Sequence, residues 1–67
     1  GPMKIFVNGE AAECREAKVG DLVARHGLVP ETTLVERNGH ALCRSEWAAQ
    51  KLEEGDRLEI LRVAAGG

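Results

Sequence analysis

The stretch Met3-Lys4-Ile5-Phe6-Val7-Asn8-Gly9 decides the fold. Met3, Ile5 and Val7 alternate with Lys4, Phe6 and Asn8, and a period of two is the mark of a strand with two distinct faces. Asn8-Gly9 ends that strand, because both residue types accept the positive φ that a tight hairpin needs. Residues 10–15 are then the returning strand, with Ala12 and Cys14 on one face, although their two alanines and two glutamates are poor strand formers.

The same logic extends down the chain. Val19, Leu22, Val23 and His26 follow the i, i+3, i+4, i+7 spacing of one helix face, which predicts a helix over 19–26. Gly27 is placed as its left-handed stop, and Pro30 makes continuation unfavourable. Asn38-Gly39 repeats the hairpin signal between strands over 33–38 and 40–43. Ser45 suits the N-cap of a brief helix over 46–52, and Glu54-Gly55-Asp56 a turn. Residues 57–63 are the clearest strand, with Leu58 and Ile60 turned to the same side as Met3, Ile5 and Val7. The expectation is an α+β domain: a mixed sheet of about five strands covered on one face by one main helix. Its parts are residues 3–63 as the domain, 64–67 as a loose tail, and Gly1-Pro2 as the scar of a cleaved tag ahead of Met3.

Composition narrows the function. A chain of 67 residues leaves little room for an enclosed active site, since domains this small bury only about 60% of the surface they expose when unfolded. A carrier or binding module is expected rather than an enzyme. Nine basic and eleven acidic side chains give a net charge of −2, and one Phe, one Trp and no Tyr offer no stacking platform, which argues against nucleic acid. No apolar run reaches the roughly 20 residues of a bilayer span, and no signal segment precedes the first strand, so a soluble, cytoplasmic protein is expected. Cys14 and Cys43 are too few for a disulfide scaffold, and no metal site is expected, because His40 and Cys43 fall on opposite faces of their strand. In strand patterns both cysteines read as buried small hydrophobes rather than persulfide acceptors. Trp47 reads as a lid on the core, and His26 as a helix C-terminal residue favourable to the dipole.

No Ser-His-Asp set, phosphate loop or paired acidic motif is present. The unusual feature is the terminal Gly66-Gly67 a few residues after a strong strand. Average glycine usage yields such an ending in about one chain in 200, so its weight comes from its place behind a small domain. A carboxylate at neutral pH is ionised and a poor electrophile, so a partner must activate it, for instance as an acyl-adenylate. Glycine has no Cβ, which lets partner groups approach the backbone closely.

Five segments carry a resemblance. Val35-Glu36-Arg37-Asn38-Gly39, Arg44-Ser45-Glu46-Trp47, Glu54-Gly55-Asp56-Arg57-Leu58-Glu59-Ile60 and the terminal Gly-Gly, with Ile5-Phe6-Val7-Asn8-Gly9 at the start, resemble the thiamin-biosynthesis sulfur carrier family ThiS. Arg37, where an apolar residue is expected, and Cys43, in place of an aliphatic, depart from it. The resemblance implies a β-grasp, ubiquitin-like fold. It implies that Gly67 is adenylated by a ubiquitin-activating-like enzyme of the ThiF/MoeB type. It also implies conversion to a thiocarboxylate with sulfur from a cysteine-desulfurase route, and delivery of that sulfur to thiazole synthase, ThiG. ATP is consumed by the partner and no cofactor is held stably by the carrier. Carriers of this type also serve cysteine, methionine and other sulfur-containing products. A protein modifier joined through Gly67 shares the first step, and a non-covalent adaptor is the remaining reading.

Gly66, Ala65 and Ala64 are the tail residues a partner would grip behind Gly67. Parity predicts where that partner rests. If Leu58 and Ile60 lie under the helix, Leu61 and Val63 point to the opposite face, and so does Phe6. With first and last strands adjacent, Phe6, Leu61 and Val63 are expected to form one apolar patch open to solvent, of the sort that marks an interaction site.

Overall fold

Two Asn-Gly pairs shape the sheet. In a computed structural model that describes residues 1–63, Asn8 and Asn38 both have φ of 51°, followed by Gly9 at 84° and Gly39 at 85°. Both central residues are left-handed, as in the tight hairpin turns whose twist suits the flanking strands. The first turn joins β1 (Met3–Val7) to β2 (Glu10–Cys14), and the second joins β3 (Thr33–Arg37) to β4 (His40–Leu42). The last strand, β5 (Arg57–Arg62), enters between the hairpins to give the order β2-β1-β5-β3-β4. It runs parallel to β1 and antiparallel to β3.

The single α-helix among the described residues, α1 (Val19–Arg25), covers one face of this sheet. Val19, Leu22 and Val23 pack with Ile5, Cys14, Val35, Leu52, Leu58 and Ile60 into one core. Met3 and Val7 are partly buried against it, so the first strand faces inward as its alternation predicts. This is the β-grasp arrangement. The helix ends with His26 as C-cap and Gly27 at φ 71°. Gly27 N–H donates to Ala24 O and Leu28 N–H to Val23 O, the paired bonds of a Schellman stop. His26 itself is exposed rather than part of the packed face, because the helix has already ended at Arg25.

The expected helix over 46–52 is not formed. A 3₁₀ turn at Arg44–Glu46 takes its place, and its cap is Cys43 instead of Ser45. Glu46 Oε1 accepts from Cys43 N–H at 2.9 Å, closing a capping box whose cap lies two residues before Ser45. Trp47 follows at the end of that turn and is buried in the core. Among the described residues no helix is long and apolar enough to cross a membrane.

Arg37 sits on the inward parity of β3, where an apolar side chain would be ordinary. Its guanidinium is accommodated by Asp56, which is buried: Nε and Nη2 donate to Asp56 Oδ2 at 3.0 and 2.9 Å, and Nη1 donates to Gln50 at 3.0 Å. Asp56 also accepts from Glu53 N–H at 2.8 Å and Asn38 Nδ2 at 3.1 Å. The departure at Arg37 is thus one half of a polar plug at the end of the core.

Candidate functional site

β5 carries the chain toward its terminus, and its neighbours fix where it leaves the sheet. Val63 N–H donates to Thr32 O at 2.8 Å, the last rung on the β3 side among the described residues. Thr33 Oγ1 and Thr32 Oγ1 both donate to Val29 O, at 2.7 and 3.3 Å, which holds the accepting turn in place. On the β1 side the support is a side chain. β1 pairs with β5 only through Phe6↔Arg57 and Val7↔Leu58, after which the chain turns away. There Asn8 Oδ1 accepts from Ile60 N–H at 2.8 Å and Asn8 Nδ2 donates to Ile60 O at 3.1 Å. The carboxamide copies a peptide group and adds one rung that the backbone of β1 does not reach.

The face of the sheet away from the helix is open. Leu61 is 50% exposed, Val63 42% and Leu34 54%. Leu61 and Leu34 are direct partners across β5 and β3. The next outward pair along the strands is Glu59 with Glu36, and Arg57 comes beyond it. Phe6 is half-buried, level with Arg57, with Lys4 Nζ 5.6 Å from its ring centre.

The expected single patch of Phe6, Leu61 and Val63 is therefore not one patch. Leu61 lies four residues past Arg57 on β5, about 13 Å at strand rise, and the Glu59–Glu36 pair intervenes. Adjacent strands do not make all of their residues neighbours, and the β1–β5 register brings Phe6 to the wrong end. The apolar companion of Leu61 is Leu34. Sequence reading missed it because alternation in 33–37 places Leu34 outward, but only the antiparallel register with β5 puts it beside Leu61. The sequence marks Asn8 as a turn residue only, and nothing in it marks the grip on Ile60. The positions expected to carry the chemistry, Ala64, Ala65, Gly66 and Gly67, lie outside the described residues.

The cysteines separate. Cys14 is fully buried, and burial pushes its thiol up, away from the thiolate that sulfur transfer needs. Cys43 is exposed, contrary to the buried reading, because β4 ends at Leu42 and Cys43 caps the 3₁₀ turn instead of packing in a strand. Among the described residues no cluster of His, Cys, Asp and Glu is arranged to hold a metal ion.

A family model described as the ThiS family matches residues 5–67, which is nearly the whole chain and includes both terminal glycines. The chain belongs to the ThiS family. Solved structures agree with this ThiS assignment. The crystal structure of the thiamine biosynthesis protein ThiS from Geobacter metallireducens superposes with a TM-score of 0.80 at 30% identity, over 97% of this chain and all of that one. The solution structure of a thiamine biosynthesis protein from the same organism gives 0.78 at 30% identity, covering 97% of this chain and 88% of the other. Among curated proteins, a thiazole synthase of Magnetococcus marinus is 37% identical over 67 residues. That match takes in 97% of this ThiS-family chain but only 20% of the relative, so the chain spans about a fifth of that protein's length. Family and fold are thus shared with the Geobacter thiamine biosynthesis protein ThiS.

Proposed function

We propose that the chain carries sulfur as a thiocarboxylate on Gly67 and gives it up in formation of the thiamin thiazole. The observation that carries this reading is the family match running from Ile5 through Gly67. In the first step the Gly67 carboxylate attacks the α-phosphorus of an ATP bound by an adenylating partner, forming the acyl-adenylate and releasing pyrophosphate. A partner persulfide carrying sulfur taken from cysteine then displaces AMP at the acyl carbon, and a second thiol cleaves the resulting acyl disulfide, leaving the thiocarboxylate and a disulfide between the two thiols. The chain supplies no catalytic side chain to either step and is a co-substrate of partner enzymes. Its own contribution is mechanical: β5 is fastened on one side by the Val63–Thr32 bond and on the other by Asn8, and this presents the tail from a fixed point.

The Magnetococcus relative supports thiazole synthase as the sulfur acceptor. A thiazole synthase that holds a stretch like this chain within its own length keeps carrier and acceptor at a high effective concentration, which is useful when one must feed the other.

The test is intact-mass measurement after incubation with the adenylating enzyme, ATP and a sulfur source. The mass is expected to rise by the difference between sulfur and oxygen, with the change mapped to Gly67 and absent when Gly67 is deleted. Replacing Cys14 and Cys43 by serine is expected to leave the gain intact in folded protein. A gain that vanishes with either cysteine moves the chemistry off the terminus.

A further inference from the structure

The backbone of β5 alternates its hydrogen-bonding direction. Arg57 O and Val63 N–H bond toward the β3 side, to Asn38 and Thr32. By the antiparallel pattern, the odd positions 57, 59, 61 and 63 all face β3, and the even positions face β1. Leu58 O receives Asn8 N–H, and Ile60 N–H and O are both met by the Asn8 carboxamide. The next even position is Arg62. Its N–H and C=O point in the plane of the sheet toward the side that β1 has vacated. Among the described residues nothing hydrogen-bonds them.

An unpaired donor and acceptor on an extended strand form a template for another strand. Three facts say what would use it. Arg62 stands one residue before Val63, so whatever takes the tail passes this edge. The tail is Ala64-Ala65-Gly66-Gly67, which offers a partner almost no side chain to hold, so recognition falls on the main chain. Leu61 and Val63 project from the outer face on either side of Arg62, where alternate side chains of an added strand would meet them.

We propose that an extended segment of the thiazole synthase that receives the tail adds to this edge as a strand beside Arg62, continuing the sheet past the point where Asn8 replaces β1. The inference rests on the carrier reading above and names how the partner holds the carrier. Main-chain bonds supply the grip, and Leu61, Val63 and Leu34 supply the apolar contact.

Arg62→Pro isolates the claim. It removes an N–H that the fold itself does not use, and proline is tolerated where a strand's N–H faces away from its partner. Arg62→Ala keeps the N–H and removes the charge. With thiazole synthase of the same organism as the probe, Arg62→Pro is expected to weaken binding about tenfold or more. Arg62→Ala is expected to bind within a few-fold of wild type, with circular dichroism and melting of both variants as the folding control. In wild type the Arg62 amide is expected to become protected from hydrogen exchange when the synthase binds, a readout that needs no variant. Wild-type binding with the Arg62 amide still exchanging freely overturns the inference and leaves the carrier reading standing. So does self-association of the chain through this edge. Wild type that fails to bind the synthase removes the thiazole reading, and the inference with it.

Discussion

Asp56 shows how a single residue ties the chain together. Burial pushes its carboxyl up, but the Glu53 N–H, the Asn38 amide and the Arg37 guanidinium outweigh burial and hold it below the ordinary aspartate range. A carboxylate whose pKa is depressed by folding contributes stability that is fully present above its unfolded pKa. That contribution is lost as pH falls through the folded value. Stability is therefore expected to drop as pH is lowered below about 4. Asp56→Asn is expected to cost about 2–4 kcal/mol at pH 7, since it leaves the half-hidden Arg37 without its counter-charge, and to flatten the acid limb. Urea unfolding of both proteins between neutral and acid pH measures both effects. An equally steep acid limb in the variant assigns the sensitivity to another group. Arg37 and Asp56 were each visible in the sequence, but nineteen positions apart and without a reason to be paired. Read alone, Arg37 was only an oddity.

At the scale of elements, legibility followed local chemistry. Asn8-Gly9, Asn38-Gly39 and Gly27 act through their own φ angles, and each does in the structure what its residue type predicts. The helix over 46–52 failed for a non-local reason. Val19 N–H and Gly20 N–H take Gln50 O and Trp47 O, so past the one turn closed on Glu46 O these two carbonyls cap α1 and do not extend a helix of their own. The split apolar patch failed for a reason of register, which no single strand encodes. This changes which residues are expected to matter in docking. Leu34→Ala and Leu61→Ala are each expected to weaken binding to the adenylating enzyme by about tenfold or more. Phe6→Ala, at the far end of the face, is expected to have a much smaller effect. Calorimetric titration of the three variants, with a melting control, ranks them. An effect at Phe6 equal to that at Leu61 would mean that the partner covers the whole face.

For the molecule as a whole, a mixed sheet of about five strands, its adjacent first and last strands and the helix that covers it were legible because strand count, turn positions and face parity constrain a small sheet tightly. Which side of β5 stays unpaired was not, because that depends on where β1 stops. One bond then sets a length. Among the described residues the Val63–Thr32 rung is the last place where the sheet fixes the main chain, so for chemistry proposed at Gly67 it is the zero mark of a ruler four residues long. Covalent geometry limits that ruler to about 14 Å, which caps the depth at which any partner can keep its reacting centre. Adding one alanine between Val63 and Ala64 lengthens it by up to about 3.5 Å while the docking face is untouched. Since a misplacement of about 1 Å can cost a hundredfold in rate, thiocarboxylate formation is expected to fall about that far with affinity unchanged. Single-turnover mass spectrometry beside a binding titration reads both quantities. Undiminished transfer would show that partners measure from some point other than the sheet's final rung.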